Sequence, residues 1–209
     1  MTTPPTTLLL TRHGETVWHA ENRYAGVSDI DLTARGLDQA RALGDWAAGA
    51  ALDAIVTSPL SRARRTADPA ARRTRLTAVV DPELVECDFG IAEGRTLGEV
   101  GAVHPQKVAA FQRDPAAHPL PNGEDPKAAA GRGAAALLRI AGTHPGRRVL
   151  VVAHNTLWRL TLCRLLSIPE SEYRRVLPGM GNCAITELRV QGGRAALMSY
   201  NVPLAVAAQ

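Results

Sequence analysis

The sequence predicts an α/β fold: a three-layer sandwich in which helices flank a mixed, mostly parallel central sheet. Three observations carry this. Short apolar runs alternate with longer amphipathic stretches, the pattern of strands linked by crossover helices. The last two runs are separated only by Gln191-Gly192-Gly193-Arg194, too few residues for a crossover, so they form a hairpin and the sheet is mixed. The 209 residues show no repeat and no domain boundary, which suits a single domain over 1–209 with a substantial core.

The expected strands are Thr7–Thr11, Ala54–Thr57, Leu76–Val80, Val149–Ala153, Ala184–Val190 and Ala195–Tyr200. Thr33 is placed to cap a helix running to about Ala48, with Leu32 stapled onto Leu37. Leu37, Ala40, Leu43 and Ala47 form its buried stripe. Ser58 is expected to cap the next helix, with Pro59 at its first position. A further helix begins near Asn155. The region 96–125 carries His104-Pro105, Asp114-Pro115, His118-Pro119 and Pro121-Asn122-Gly123, and reads as short helices and loops forming a lid.

Composition narrows the function. The hydrophobic fraction is 45% and the charged fraction 21%, ordinary for a globular protein. The net charge of +4 favours an anionic small molecule without demanding nucleic acid. The aromatic fraction of 4% is too sparse for base-stacking platforms, so no nucleic-acid partner is expected. Cys87, Cys163 and Cys183 are widely spaced, which argues against a disulfide framework and a zinc site and for a reducing compartment. Met1–Pro5 lacks the basic and apolar regions of a signal peptide, and no apolar run approaches the roughly 20 residues that span a bilayer. The expectation is a cytoplasmic protein with no membrane partner. A homodimer is left open.

The chemistry gathers at strand ends. Thr11-Arg12-His13-Gly14-Glu15-Thr16 follows the apolar run Leu8–Leu10, and ligands of α/β sheets sit outside the carboxyl ends of strands. There the Arg12 guanidinium can hold an anion, Gly14 lets the backbone come close, and the His13 imidazole can attack phosphorus. A second histidine, His154, closes the run Val149–Ala153, and Asn155 behind it offers a backbone N–H at a helix N-terminus. Ser58-Pro59-Leu60-Ser61-Arg62-Ala63 follows another strand and can send Arg62 back to the same edge; Arg72, Arg73 and Arg75 read as surface. Leu84–Gly94 supplies three acids, Glu86, Asp88 and Glu93, in a tight loop. A carboxyl beside a phosphate has a raised pKa and can protonate a leaving alcohol, but local chemistry does not choose among the three.

These motifs, in this order, resemble the histidine phosphatase superfamily, in its phosphoglycerate mutase-like branch, from Leu8 to about Tyr200. The Arg-His-Gly-Glu-Thr box is followed by Glu21-Asn22-Arg23, Gly26, Asp31-Leu32-Thr33 and Gly36 as in that family. Ser58–Ala63, Leu84–Gly90 with Glu93-Gly94, Pro121-Asn122-Gly123-Glu124 and Val151–His154 resemble its remaining motifs. The resemblance implies a phosphoglycerate mutase-like fold, His13 as the phosphorylated nucleophile and Glu86 as proton donor. It also implies a phosphate pocket of Arg12, Arg62 and His154, with no metal and no cofactor required. Three departures bear on the substrate. His19 stands where the family usually has a phosphate-contacting asparagine, Ala25 where a small polar residue often precedes the glycine, and Asn155 where glycine usually follows the second histidine. His19 is read as a titratable donor to the phosphate or as turned away.

The expected activity is hydrolysis of a small phosphorylated metabolite through a phosphohistidine. A mutase-type transfer is the alternative, disfavoured because Asn201–Gln209 is only a short tail whereas the family's cofactor-dependent mutases tend to carry extra segments. A non-catalytic phospholigand-binding protein is the non-enzyme reading. A rival catalytic class is suggested by Asp29-Ile30-Asp31-Leu32-Thr33, the pattern of metal-dependent aspartyl phosphatases, though here it follows a loop rather than an apolar strand.

Overall fold

In the computed structural model, which describes residues 4–204, six strands make one sheet. They are β1 (Thr6–Arg12), β2 (Ala54–Thr57), β3 (Ala78–Val80), β4 (Arg148–Ala153), β5 (Ile185–Gln191) and β6 (Arg194–Val202), in the order β3-β2-β4-β1-β5-β6. The first four in that order run parallel, and β5 and β6 are antiparallel. Gly192 and Gly193 turn the final hairpin with φ of 56° and 74°, a conformation that glycine adopts without a Cβ clash. Of the expected tail, Asn201 and Val202 belong to β6, while 205–209 lie outside the described residues, as do 1–3 at the other end.

The helices are α1 (Ala34–Gly49), α2 (Ser61–Thr74), α3 (Leu97–Val103), α4 (Pro105–Arg113), α5 (Pro126–Thr143), α6 (Asn155–Leu165) and α7 (Tyr173–Val176). The period of two along the central strands sorts them into layers. Leu9, Leu150 and Val152 pack against Leu43 of α1 and Ala63, Ala67 and Ala70 of α2. Leu8, Leu10, Val149 and Val151 pack on the other face against Leu137 and Ile140 of α5 and Leu157 and Trp158 of α6. A third cluster, Ala92, Val100, Val108, Phe111 and Leu120, anchors α3 and α4, with Tyr24 and Phe89 packed against it.

Several boundaries differ from the sequence reading. Thr33 caps α1 as expected, its Oγ1 accepting from Gly36 N at 3.0 Å. The buried stripe, however, runs through Gly36, Ala40, Leu43, Gly44 and Ala47, and Leu37 is only half-buried. The cause is close approach: a Cβ on Gly44 would stand 2.8 Å from Pro69 Cβ of α2. α2 starts at Ser61, not beside Ser58: the Ser58 hydroxyl accepts from Leu60 N in the turn before the helix, and Leu60 takes the N-cap position. β3 starts at Ala78 rather than Leu76, because Arg75 turns left-handed (φ 59°) and Leu76 N caps Ala71 O.

The parallel register brings the carboxyl ends of β1, β4 and β2 to one edge. The chain leaves that edge through Gly14 and packs at once against the start of α1. A Cβ on Gly36 would lie 2.1 Å from the Glu15 carbonyl oxygen. Gly36→Ala should therefore cost about 1–3 kcal/mol in urea unfolding, the range for overpacking against groups that cannot yield. Gly49→Ala, with nothing within 4 Å of the added carbon, should be neutral or stabilising by up to about 1 kcal/mol.

Candidate active site

β1 delivers Arg12 and His13 to the edge. His13 N donates to Ala153 O at 3.0 Å, extending the β1–β4 pairing by one residue, and Asn182 Nδ2 donates to His13 O at 2.7 Å. The His13 ring is buried, with Nδ1 2.7 Å from Gly14 O. A carbonyl can only accept, so Nδ1 carries the hydrogen and Nε2 keeps its lone pair. Burial first, then the Arg62 and Arg12 charges, push this imidazole well below its ordinary pKa. The result is a neutral, oriented imidazole with a free Nε2 lone pair. Gly14 makes room for α1: a Cβ there would meet Gly36 O at 2.5 Å.

Two arginines flank His13, and both are held by their ends. Arg12 Nη1 donates to Met180 O (3.0 Å) and Nη2 to His19 Nε2 (2.7 Å). Arg62 is wholly buried and donates to Ser28 O (2.7 Å), Gly26 O (2.6 Å) and Ala25 O (3.2 Å). In each guanidinium Nε is buried and without a partner. His154 completes the group, its ring centroid 5.2 Å from that of His13. Its Nε2 lies 2.7 Å from Ser58 Oγ, which also accepts from Leu60 N at 3.3 Å. The hydroxyl hydrogen is free to point at Nε2, the arrangement in which the His154 hydrogen sits on Nδ1. That Nδ1 is also buried and unpartnered. Among the described residues, the buried side-chain polar atoms without a partner are Arg12 Nε, Arg62 Nε, His154 Nδ1 and, away from this cluster, Thr161 Oγ1. Such groups are costly unless a ligand satisfies them.

The three acids of the Leu84–Gly94 loop separate clearly. Glu93 accepts from Gly26 N, Ser28 N, Ser28 Oγ and Phe89 N, so it ties this loop to the one that clamps Arg62. Asp88 Oδ1 accepts from Gly90 N at 2.7 Å and shapes the turn. Only Glu86 reaches the cavity that His13 lines. It is buried at the N-terminus of α6, accepting from Thr156 N (2.9 Å), Leu157 N (2.7 Å) and Cys87 N (2.9 Å). Burial pushes its pKa up, and the three N–H groups and Arg62 pull it part of the way back. Arg132 of α5 fixes the approach to this loop, donating to Glu83 O and Val85 O while paired with Glu124.

His19 and Asn155 line the same cavity, and each also has a partner within the protein. His19 Nδ1 faces Thr16 N (3.0 Å) and Thr16 Oγ1 (2.8 Å), and its Nε2 accepts from Arg12. It neither turns away nor stands as a charged donor: burial, then the Arg12 charge, lower its pKa to about 4. It aims Arg12. Asn155 Oδ1 accepts from Met180 N at 3.1 Å, bracing the residue whose carbonyl holds Arg12. Asp29 stands in a loop, its carboxylate accepting from Ser61 N at 2.8 Å, and Asp31 is exposed and paired with Arg65. Neither sits at a strand end as the rival catalytic class requires.

The cavity is also lined by Trp18, Tyr24, Arg159, Tyr173 and Arg174, which sequence reasoning missed. Arg159 lies one helical turn from Asn155 on α6, a spacing that puts both on one face. No comparable signal marks Arg174. Arg62 and His154 are wholly buried beside His13.

The model of the histidine phosphatase superfamily (branch 1) matches residues 8–203, and the chain belongs to that family. It is 30% identical to the uncharacterized phosphatase PhoE of Bacillus subtilis (strain 168), over 94% of this chain and 95% of that one. It is 32% identical to the probable phosphoglycerate mutase GpmB of Cronobacter sakazakii, over 87% of this chain and 84% of that one. Among solved structures, a mycobacterial glucosyl-3-phosphoglycerate phosphatase superposes with a TM-score of 0.86 at 29% identity, over 95% of this chain and 100% of that one.

The His19 geometry has a direct readout. Its ring protons should titrate with a midpoint near 4 by NMR in the ligand-free protein, and a midpoint near 6.5 would show that it does not accept from Arg12. His13, His19 and His154 are all lowered. Below about pH 6.5 the unfolded chain therefore binds more protons at these positions than the folded one. Their contribution to stability should be lost as pH falls from about 6.5, seen as a falling Tm.

Proposed function

We propose that this protein is a phosphomonoesterase that transfers the phosphoryl group of a small phosphorylated metabolite to His13 and then to water. The observation that carries this is the set of unspent groups: one imidazole lone pair on His13 and three buried donors without partners, on Arg12, Arg62 and His154. A tetrahedral dianion placed against His13 Nε2 is the ligand that such a set satisfies.

In the first step the Nε2 lone pair forms the N–P bond while the P–O bond to the alcohol breaks. Arg12, Arg62 and His154 stabilise the equatorial oxygens, and Glu86 gives its proton to the leaving oxygen. In the second step Glu86, now ionised, takes a proton from water as its oxygen attacks phosphorus. The N–P bond breaks and inorganic phosphate leaves. Asn155 and His19 hold the Arg12 side in place. Fixed cations do here what Mg²⁺ does in other phosphoryl-transfer sites, so no metal ion is called for. The region 96–125 serves as a lid within one domain spanning 1–209: Phe111 of α4 meets Tyr24 edge-on at 6.0 Å between centroids. The three cysteines are free and buried, which fits a cytoplasmic setting, and no described helix is long and apolar enough to cross a membrane.

Acid-quenched mass spectrometry after substrate addition should find phosphate on His13, and His13→Ala should abolish the adduct and nearly all turnover. Phosphate on Asp29 instead would support the rival class. Glu86→Gln should slow alkyl phosphates about 10²–10⁴-fold and aryl phosphates far less, since aryl leaving groups need little protonation. Because Glu86 must be protonated for the first step and its pKa is raised, kcat/KM for alkyl esters should fall as pH rises through that pKa. Excess EDTA should leave the rate unchanged; loss that Mg²⁺ restores would refute metal independence.

A further inference from the structure

Glu86 sits in a stretch with no regular structure of its own: residues 85–89 belong to no helix or strand. The carbonyls of such a stretch must find donors elsewhere. Arg132 Nη1 donates to Val85 O at 2.9 Å and to Glu83 O at 2.6 Å. Glu124 N donates to Asp88 O at 2.9 Å. The two residues that grip this backbone on either side of Glu86 also grip each other. Arg132 Nε and Nη2 donate to the two Glu124 carboxylate oxygens, at 3.1 and 2.9 Å, and both side chains are mostly buried. Only a guanidinium can face a carboxylate with one edge and two carbonyls with its remaining nitrogen. Glu124 ends the turn 121–124, the last part of the region 96–125, and that turn is wedged against the same loop. Ile91 N donates to Pro121 O at 3.1 Å. Gly90 has a φ of 55°, and a Cβ on it would stand 2.1 Å from Pro121 O.

We propose that Arg132 and Glu124 are positioning residues for proton transfer: their ion pair holds the Glu86 carboxyl against the N-terminus of α6, where it meets the leaving oxygen. The inference rests on the reading of Glu86 as the proton donor. The placement of Glu86 is demanding, since its oxygens accept from Thr156 N and Leu157 N at 2.9 and 2.7 Å. A loop displaced by about 1 Å loses both bonds. Misplacement of a catalytic group by about 1 Å can cost about 100-fold in rate. Stability alone is a poor reason for the pair, because a buried ion pair adds little over apolar packing. Its location explains it better: the contacts of both partners fall on the backbone that flanks Glu86.

The test compares turnover of p-nitrophenyl phosphate and benzyl phosphate, esters of similar size. The first releases a phenolate that needs little protonation, the second an alkoxide that needs it. Glu124→Gln keeps the shape of the side chain and removes the counter-charge of Arg132. It should slow benzyl phosphate about 10–100-fold and leave p-nitrophenyl phosphate within about threefold of wild type. Arg132→Gln should show the same split, and Arg132→Lys, which keeps the charge but not the fork, should fall between it and wild type. In the Glu86→Gln background, Glu124→Gln should change the benzyl phosphate rate by less than about twofold, because no proton donor remains to be aimed. Urea unfolding first establishes that each variant is folded, and Arg132→Lys decides the matter if the other variants do not fold. Equal slowing of the two esters, no slowing of either, or a further large loss in the Glu86→Gln background overturns the proposal. If Glu86→Gln separates the two esters and the Glu124 and Arg132 variants do not, the positioning role alone fails. If Glu86→Gln slows both esters equally, or the wild-type protein hydrolyses neither, the reading of the site fails and the positioning role with it.

Discussion

Two guanidinium groups are buried at one sheet edge, and the surrounding loops are arranged around keeping them there. Burial disfavours the charged form of both Arg12 and Arg62, and each is lowered for that reason. Backbone carbonyls offset the cost, from Ala25, Gly26 and Ser28 for Arg62 and from Met180 for Arg12. Carbonyl dipoles hold a cation without cancelling it, as a carboxylate would. The charge therefore stays available to the neighbouring imidazoles, which it keeps neutral, and to an incoming anion. Glu86, the carboxylate that acts most strongly on both arginines, is itself shared with the amides of α6 and Cys87.

The same economy explains the second ring of contacts. Glu93 fixes the loop whose carbonyls hold Arg62, and Asn155 fixes the residue whose carbonyl holds Arg12. Thr66 accepts from Gly14 N at 3.0 Å and donates to Arg62 O at 2.6 Å, tying the loop after His13 to the helix that carries the arginine. None of these side chains needs to meet substrate. Their work is to hold donors in a geometry that water alone would not keep.

Much of the fold was legible because apolar alternation and strand-to-helix spacing are local: Leu8–Leu10 and Val149–Val152 announce buried strands whatever lies around them. Residue types at the site were legible for the same reason, since Arg12, His13, Arg62 and His154 all stand at or just beyond strand ends. What failed depended on partners distant in the chain. Ser58 read as a helix cap because hydroxyls favour caps, but His154 engages that hydroxyl. His19 stands where the family usually has asparagine, and nothing local shows that its ring meets Thr16 and Arg12. Nothing local shows either that Gly14 packs against Gly36.

The loop before β5 has a consequence for how the molecule comes into being. Cys183 N donates to Arg12 O, Asn182 to His13 O, and Asn201 Oδ1 accepts from Gly181 N. β5 also supplies β1 with one of its two neighbours. On a ribosome that works from the amino terminus, His13 is among the first residues made, while the groups that brace it are among the last. The unfinished chain thus carries His13 without the frame that orients it, and that frame closes only once the final hairpin has left the exit tunnel.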